Sequence, residues 1–69
     1  MQIGQRIKQI RQTLGIRQAG LAKRSGIPEA TISRIENGII KHPKIDTLMK
    51  IASAMSTTVG NILGEIESQ

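Results

Sequence analysis

The sequence predicts an all-α fold, a single compact domain of five short helices. Three observations carry this. Apolar residues recur at three- and four-residue spacing, as in Ile3, Ile7, Ile10 and Leu14, the period at which side chains share one face of a helix. Gly15, Gly26 and the Asn37-Gly38 pair fall where such runs stop, as residues that end helices do. No stretch carries the signal of a strand.

Taken in order, the first helix carries the stripe Ile3, Ile7, Ile10 and Leu14 over about three turns. Gln5, Arg6, Lys8, Gln9, Arg11 and Gln12 are good helix formers that mostly face water. Gly15 closes this helix, and Ile16 folds back onto it. The second helix covers Gln18 to Ser25, with Leu21 and Ala22 on its buried side and Gln18, Lys23 and Arg24 left for solvent or phosphate. Arg17 stands where Ser, Thr, Asp or Asn would cap more strongly, so the start is weakly specified. Gly20 inside the helix costs about 1 kcal/mol relative to Ala. Either a close helix crossing requires it or the cost is simply carried.

Gly26 supplies the left-handed backbone for a sharp reversal into the third helix, Pro28 to Glu36. Pro28 is tolerated there because the first helical residues have no intrahelical partner to lose. Ile32 and Ile35 share the inward face. Ala30, Ser33, Arg34 and Asn37 turn away from it, with Thr31 at the edge. Residues 39–44 show no helical pattern, and Pro43 biases His42 toward extended backbone. The fourth helix has Ile45, Leu48, Ile51, Ala52 and Met55 at helical spacing, with Asp46 favourable in its first turn. After a turn at Ser56-Thr57, Thr58 caps a brief fifth helix whose apolar side is Val59, Ile62 and Leu63. The domain is thus expected over residues 1–63, with 64–69 a frayed polar tail.

Composition narrows the functions available. A chain of 69 residues buries only about 60% of its unfolded surface, so pairing with a second copy would add useful stability. The absence of Cys excludes a disulfide framework and a thiolate metal site, and a cytoplasmic protein is the simpler expectation. No run approaches the length of a membrane span, and the N-terminus has no signal-peptide core. With no aromatic residue, the core must be aliphatic, and platforms that stack single-stranded bases on rings are excluded. His42 has no ligand company, no glycine-rich phosphate loop is present, and no Ser has an arguable base. An enzyme, a metal and a cofactor are therefore not expected.

The net charge of +5 is uneven: residues 1–44 hold nine Lys or Arg against Glu29 and Glu36, while residues 45–69 hold Lys50 against Asp46, Glu65 and Glu67. A basic N-terminal part attracts a polyanion and steers it to one side. The outward surface of the third helix is small, polar and singly basic, which suits entry into a DNA major groove.

Four blocks, IGQRIKQIRQTLGI, QAGLAKRSGIPEATISRIENG, HPKIDTLMKIASAM and TTVGNIL, together resemble the lambda-repressor-like helix-turn-helix domains, in particular the Cro/C1 (Xre) family. The resemblance covers about residues 3–63, and its most specific part is Ile-Ser-x-Ile-Glu-Asn-Gly followed by Pro-x-Ile-x-Thr-Leu. It implies a five-helix DNA-binding domain whose helices two and three form the helix-turn-helix. Helix three would lie in the major groove of a palindromic operator bound by a homodimer. Arg17 and Gly20, Pro28, and the Ile39-Ile40 pair depart from the family's usual residues.

The resemblance also implies roles. Glu29, Ala30, Thr31 and Arg34 stand where such domains read bases, and Arg34 can reach O6 and N7 of a guanine. Gln18, Asn37, Lys41 and Lys44, joined by Arg17, Lys23 and Arg24, are candidates for the DNA backbone. Arg11 and Glu36 match a pair that ties helix one to the end of helix three. Ile39 and Ile40 cannot easily both point inward. With Val59 and Ile62 they are candidates for a dimer surface that sets the two recognition helices about 34 Å apart.

A transcription regulator, a repressor with double-stranded DNA as its partner, is the leading expectation. An antitoxin that also binds a protein partner, and a structural or interaction module that has lost DNA binding, are the alternatives. The initial Met and polar ending fit both a complete small regulator and the N-terminal domain of a longer chain.

Overall fold

Six aliphatic side chains, Ile7, Leu21, Ile32, Ile35, Ile51 and Ile62, lose essentially all contact with solvent. The structure, a computed structural model, describes residues 2–67, the side chains of 65–67 excepted. Those six residues come from α1 (Ile3–Thr13), α2 (Gln18–Ser25), α3 (Glu29–Glu36), α4 (Ile45–Ala54) and α5 (Val59–Glu67). Every helix thus sends at least one branched side chain into one shared core, as a chain without Phe, Tyr or Trp requires. α1 packs on α3 and α5, α2 on α3 and α4, and α4 on α5. The short α3 is therefore gripped from two sides.

Two residues assigned by spacing to buried faces are exposed: Leu14 at 51% and Ile45 at 61%. Leu14 falls just past the end of α1, and the buried face of that helix is Gly4, Ile7 and Arg11, with Ile3 and Ile10 half-buried on its flank. Ile45 shares a helical sector with Ala52, but its place at the start of α4 takes it beyond the neighbours that cover Leu48, Ile51 and Ala52. Periodicity assigns a direction around the helix axis and is silent about where along it the cover ends.

Local chemistry explains the turns. Gly26, at φ 74°, donates its N–H to the Ala22 carbonyl at 2.9 Å. The Ser25 hydroxyl accepts the N–H of Ile27 at 3.2 Å, so the reversal between α2 and α3 is hydrogen-bonded on both sides of the glycine. α3 begins at Glu29, one residue later than expected, because Pro28 is extended (ψ 140°) and acts as the cap. Its carbonyl accepts the N–H groups of Thr31 and Ile32. α5 starts from Thr58, whose hydroxyl accepts the Asn61 N–H at 3.0 Å. It continues to Glu67, past the brief helix expected. Residues 68 and 69 of the expected tail lie outside the described residues.

Gly20 is settled by its surroundings. A methyl group there would meet only Ile16 Cγ2, at 3.4 Å, and no neighbouring backbone. No helix crossing requires the glycine. Conversely, Ser56 holds φ 55° where α4 ends, a conformation disfavoured for residues with a Cβ. Gly20→Ala and Ser56→Gly should each stabilise the fold by about 0.5–1 kcal/mol. Thermal unfolding would show each as a rise in midpoint of several degrees.

Candidate nucleic-acid interface

The two faces of α3 differ in chemistry. Ile32, Ile35 and Glu36 are buried, whereas Glu29, Ala30, Arg34 and Asn37 are exposed and Thr31 is half-buried at the edge. The carboxamide of Asn37 donates to the Ser33 hydroxyl at 3.2 Å, tying the outer end of the helix to its own surface. Glu29 lies in the first turn, where a negative charge complements the helix dipole.

What stops this helix from rotating is a buried polar network at its C-terminal end. Arg11 Nε and Nη2 donate to Glu36 Oε2 and Oε1 at 2.8 and 2.9 Å, a two-pronged bond. Arg11 Nη1 donates to the Ile16 carbonyl at 2.8 Å. Gln18 donates its amide to Glu36 Oε1 at 3.0 Å. One carboxylate is thus held by α1 and by α2 at once. Arg11 and Glu36 are only 8% and 5% exposed. Bonding to Glu36 raises the Arg11 pKa against the opposing effect of burial.

This network changes the surface too. Of the two acids in residues 1–44, Glu36 is buried against Arg11, which leaves Glu29 as the exposed one. Arg17, Lys23, Arg24, Arg34, Lys41 and Lys44 are all exposed, so the solvent-facing charge around α2, α3 and the following connection is overwhelmingly positive. Gln18 differs from these candidates: it is half-buried, and its amide is engaged with Glu36.

The connection after α3 separates the two adjacent isoleucines. The N–H groups of Ile39 and Ile40 both reach back to the Arg34 carbonyl, at 2.9 and 3.1 Å, after Gly38 at φ 78°. Ile39 is left 72% exposed, while Ile40 is half-buried against the core. Ile62 is fully buried and Val59 half-buried. Ile62 is therefore core, not docking surface, because its sector of α5 faces the other helices. Ile39 stays outside, and Ile45 and Met49 of α4 are also exposed.

Spacing alone missed three contributors: Gly4, buried beneath α3; Ser25, inside the turn; and the Gln18–Glu36 bond. A serine just before a turn glycine was a legible signal. The other two depend on how helices cross. Among the described residues no group of three His, Asp or Glu could hold a metal ion, and no helix is long and apolar enough to cross a membrane.

Comparison with known proteins agrees with this architecture. The Helix-turn-helix family model matches residues 7–60. The HTH-type transcriptional regulators SinR of Bacillus licheniformis and of Bacillus subtilis (strain 168) are each 35% identical over 63 residues, 91% of this chain and 57% of theirs. The uncharacterized HTH-type transcriptional regulator RghRB of Bacillus subtilis (strain 168) is 37% identical over 60 residues, 87% of this chain and 43% of that protein. A chain of a solved SinR protein/SinI protein complex superposes with a TM-score of 0.87 at 33% identity, over 96% of this chain and 64% of that one. The chain thus spans 57% or less of the length of these curated relatives. The matched span, the similarity to these relatives and the shared fold make it a member of the helix-turn-helix family of the Cro/C1 (Xre) type, homologous to SinR-type regulators.

Proposed function

We propose that this protein is a sequence-specific, double-stranded-DNA-binding transcription regulator acting in the cytoplasm as a repressor. It inserts α3 into the major groove of a palindromic operator as a homodimer. One observation carries the reading: α3 turns Ala30 and Arg34 to solvent while its isoleucines and Glu36 are locked inside. Arg34, Thr31, Ala30 and Glu29 then read base edges. Arg17, Lys23, Asn37, Lys41 and Lys44 meet phosphates. Gln18 keeps Glu36 in place from α2 and is a backbone contact through the rest of its amide. α2 begins without a side-chain cap, which leaves first-turn N–H groups for a phosphate oxygen. Exposed Ile39 supports pairing between two copies and, as a second reading, contact with a different protein. A relative seen in a two-protein complex supports that second reading, which includes this chain acting as the antitoxin to a toxin partner.

Selection of bound duplexes from a random pool tests the proposal. The expected product is an inverted repeat with half-site centres about 10–10.5 base pairs apart, bound with an affinity that falls steeply as salt rises. Recovery of no preferred sequence, with no salt-dependent binding to any duplex, would reject it.

A further inference from the structure

Gly4 lies at the start of α1, where a glycine is the poorest ordinary helix former. It is buried. A Cβ built on it would run into the Ile35 carbonyl oxygen, with the Ile35 carbonyl carbon at 2.8 Å and Glu36 Cα at 3.0 Å. These are backbone atoms, which cannot swing aside as a side-chain tip can. The carbonyl beneath Gly4 accepts the Gly38 N–H at 3.1 Å, the bond that closes the last turn of α3. The side-chain oxygen of Gln2 lies 3.1 Å from where a Cβ on Gly38 would sit. The first turn of α1 therefore rests directly on the end of α3 and on the connection leading to Lys41. Two turns further along the same face, Arg11 grips Glu36.

We infer that Gly4 is a positioning residue for DNA recognition: its missing side chain sets the depth at which the C-terminal end of α3, with Asn37 and the Lys41 connection, is seated against α1. Arg11 pulls α3 toward α1, and the bare backbone of Gly4 determines where that approach stops. A methyl group at this position lifts the last turn of α3 away from α1 and carries Arg34, Asn37 and Lys41 out of register with the rest of the basic surface on α2. This inference rests on the DNA-binding reading above.

The experiment uses the full chain and compares Gly4→Ala, alone and combined with Gly20→Ala, against the wild type and against Gly20→Ala alone. Affinity for the selected operator and for a random duplex of equal length is followed as a function of salt. Gly4→Ala is expected to keep a helical circular-dichroism spectrum. It should lose tenfold or more in operator affinity, with a salt slope shallower by about one as a phosphate contact is lost. Loss of folded protein alone lowers the active fraction and leaves the slope unchanged. Three outcomes overturn the inference: wild-type affinity and slope, a loss that only tracks the unfolded fraction, or failure to fold even with Gly20→Ala present. That last result would make Gly4 a requirement of the whole fold. Backbone amide resonances give a readout without DNA. Those of residues 37–41 should move in Gly4→Ala and those of α4 should hold, so a wild type that binds no duplex would sink the functional reading while the amides still decide the positioning.

Discussion

Arg11→Met is expected to destabilise the protein by about 3–5 kcal/mol, the loss typical when one partner of a buried ion pair is removed. For a domain of this size that is a large share of the folding free energy, at roughly 0.05–0.15 kcal/mol per residue. The reason lies in what remains. Glu36, 5% exposed, loses both guanidinium donors and keeps the single bond from Gln18 at 3.0 Å. A sealed carboxylate with one neutral donor is poorly solvated, and unfolding, which hydrates it, becomes correspondingly easier. Changing both residues, Arg11→Met with Glu36→Met, should recover much of the loss, because nothing charged is then left inside.

Urea unfolding of the two single variants and the double variant gives the coupling energy directly. Additive losses would show that the two side chains act separately. Arg11→Lys should recover only part of the stability, since an ammonium cannot reproduce the two-pronged bond. The Arg11 pKa is raised by Glu36. Its contribution is therefore complete below the ordinary arginine value and is lost only as pH rises through the raised one. Between pH 6 and 9, on the order of the range of a binding assay, Arg11 should introduce no pH dependence, which unfolding at both ends of that range would check.

Arg34→Ala should reduce discrimination between operator and random duplex by about 1–3 kcal/mol, roughly five- to 150-fold. The side chain is exposed on the outward face of α3, so its removal leaves the core untouched and the stability near that of the wild type. Lys41→Ala should behave differently. It should weaken binding to operator and random duplex alike and reduce the salt slope by about one. Competition binding at several salt concentrations separates the two patterns. If Arg34→Ala lowered both affinities by the same factor, Arg34 would be a phosphate contact, and base readout would fall to Thr31, Ala30 and Glu29.

The elements of this fold are legible in the residues because they rest on local chemistry. The positions of α1, α2 and α4, and the glycine-ended turns, follow from spacing and from which residues accept left-handed backbone. Pro28 moved the start of α3 by one residue, because its extended backbone places it in the cap position ahead of the first helical residue. Side-chain direction depends on more than the helical period. Periodicity put Arg11 among the residues facing water, and only resemblance to a family suggested its pairing with Glu36, 25 positions away.

Order along the chain was enough to specify five amphipathic helices, an aliphatic core and a basic N-terminal part, since each depends on neighbours within a turn or on a simple sum of charges. It was also enough to show that α3 has one apolar face and one polar face. How α1 lies across α3 could not be read in the same way. That crossing turns Gly4 from a weak helix residue into a point of backbone contact and buries Arg11 against Glu36, while the packing of α2 on α3 brings Gln18 to the same carboxylate and the limited cover over the start of α4 leaves Ile45 exposed. These outcomes depend on distances between residues far apart in the chain, and such distances exist only once the helices have packed.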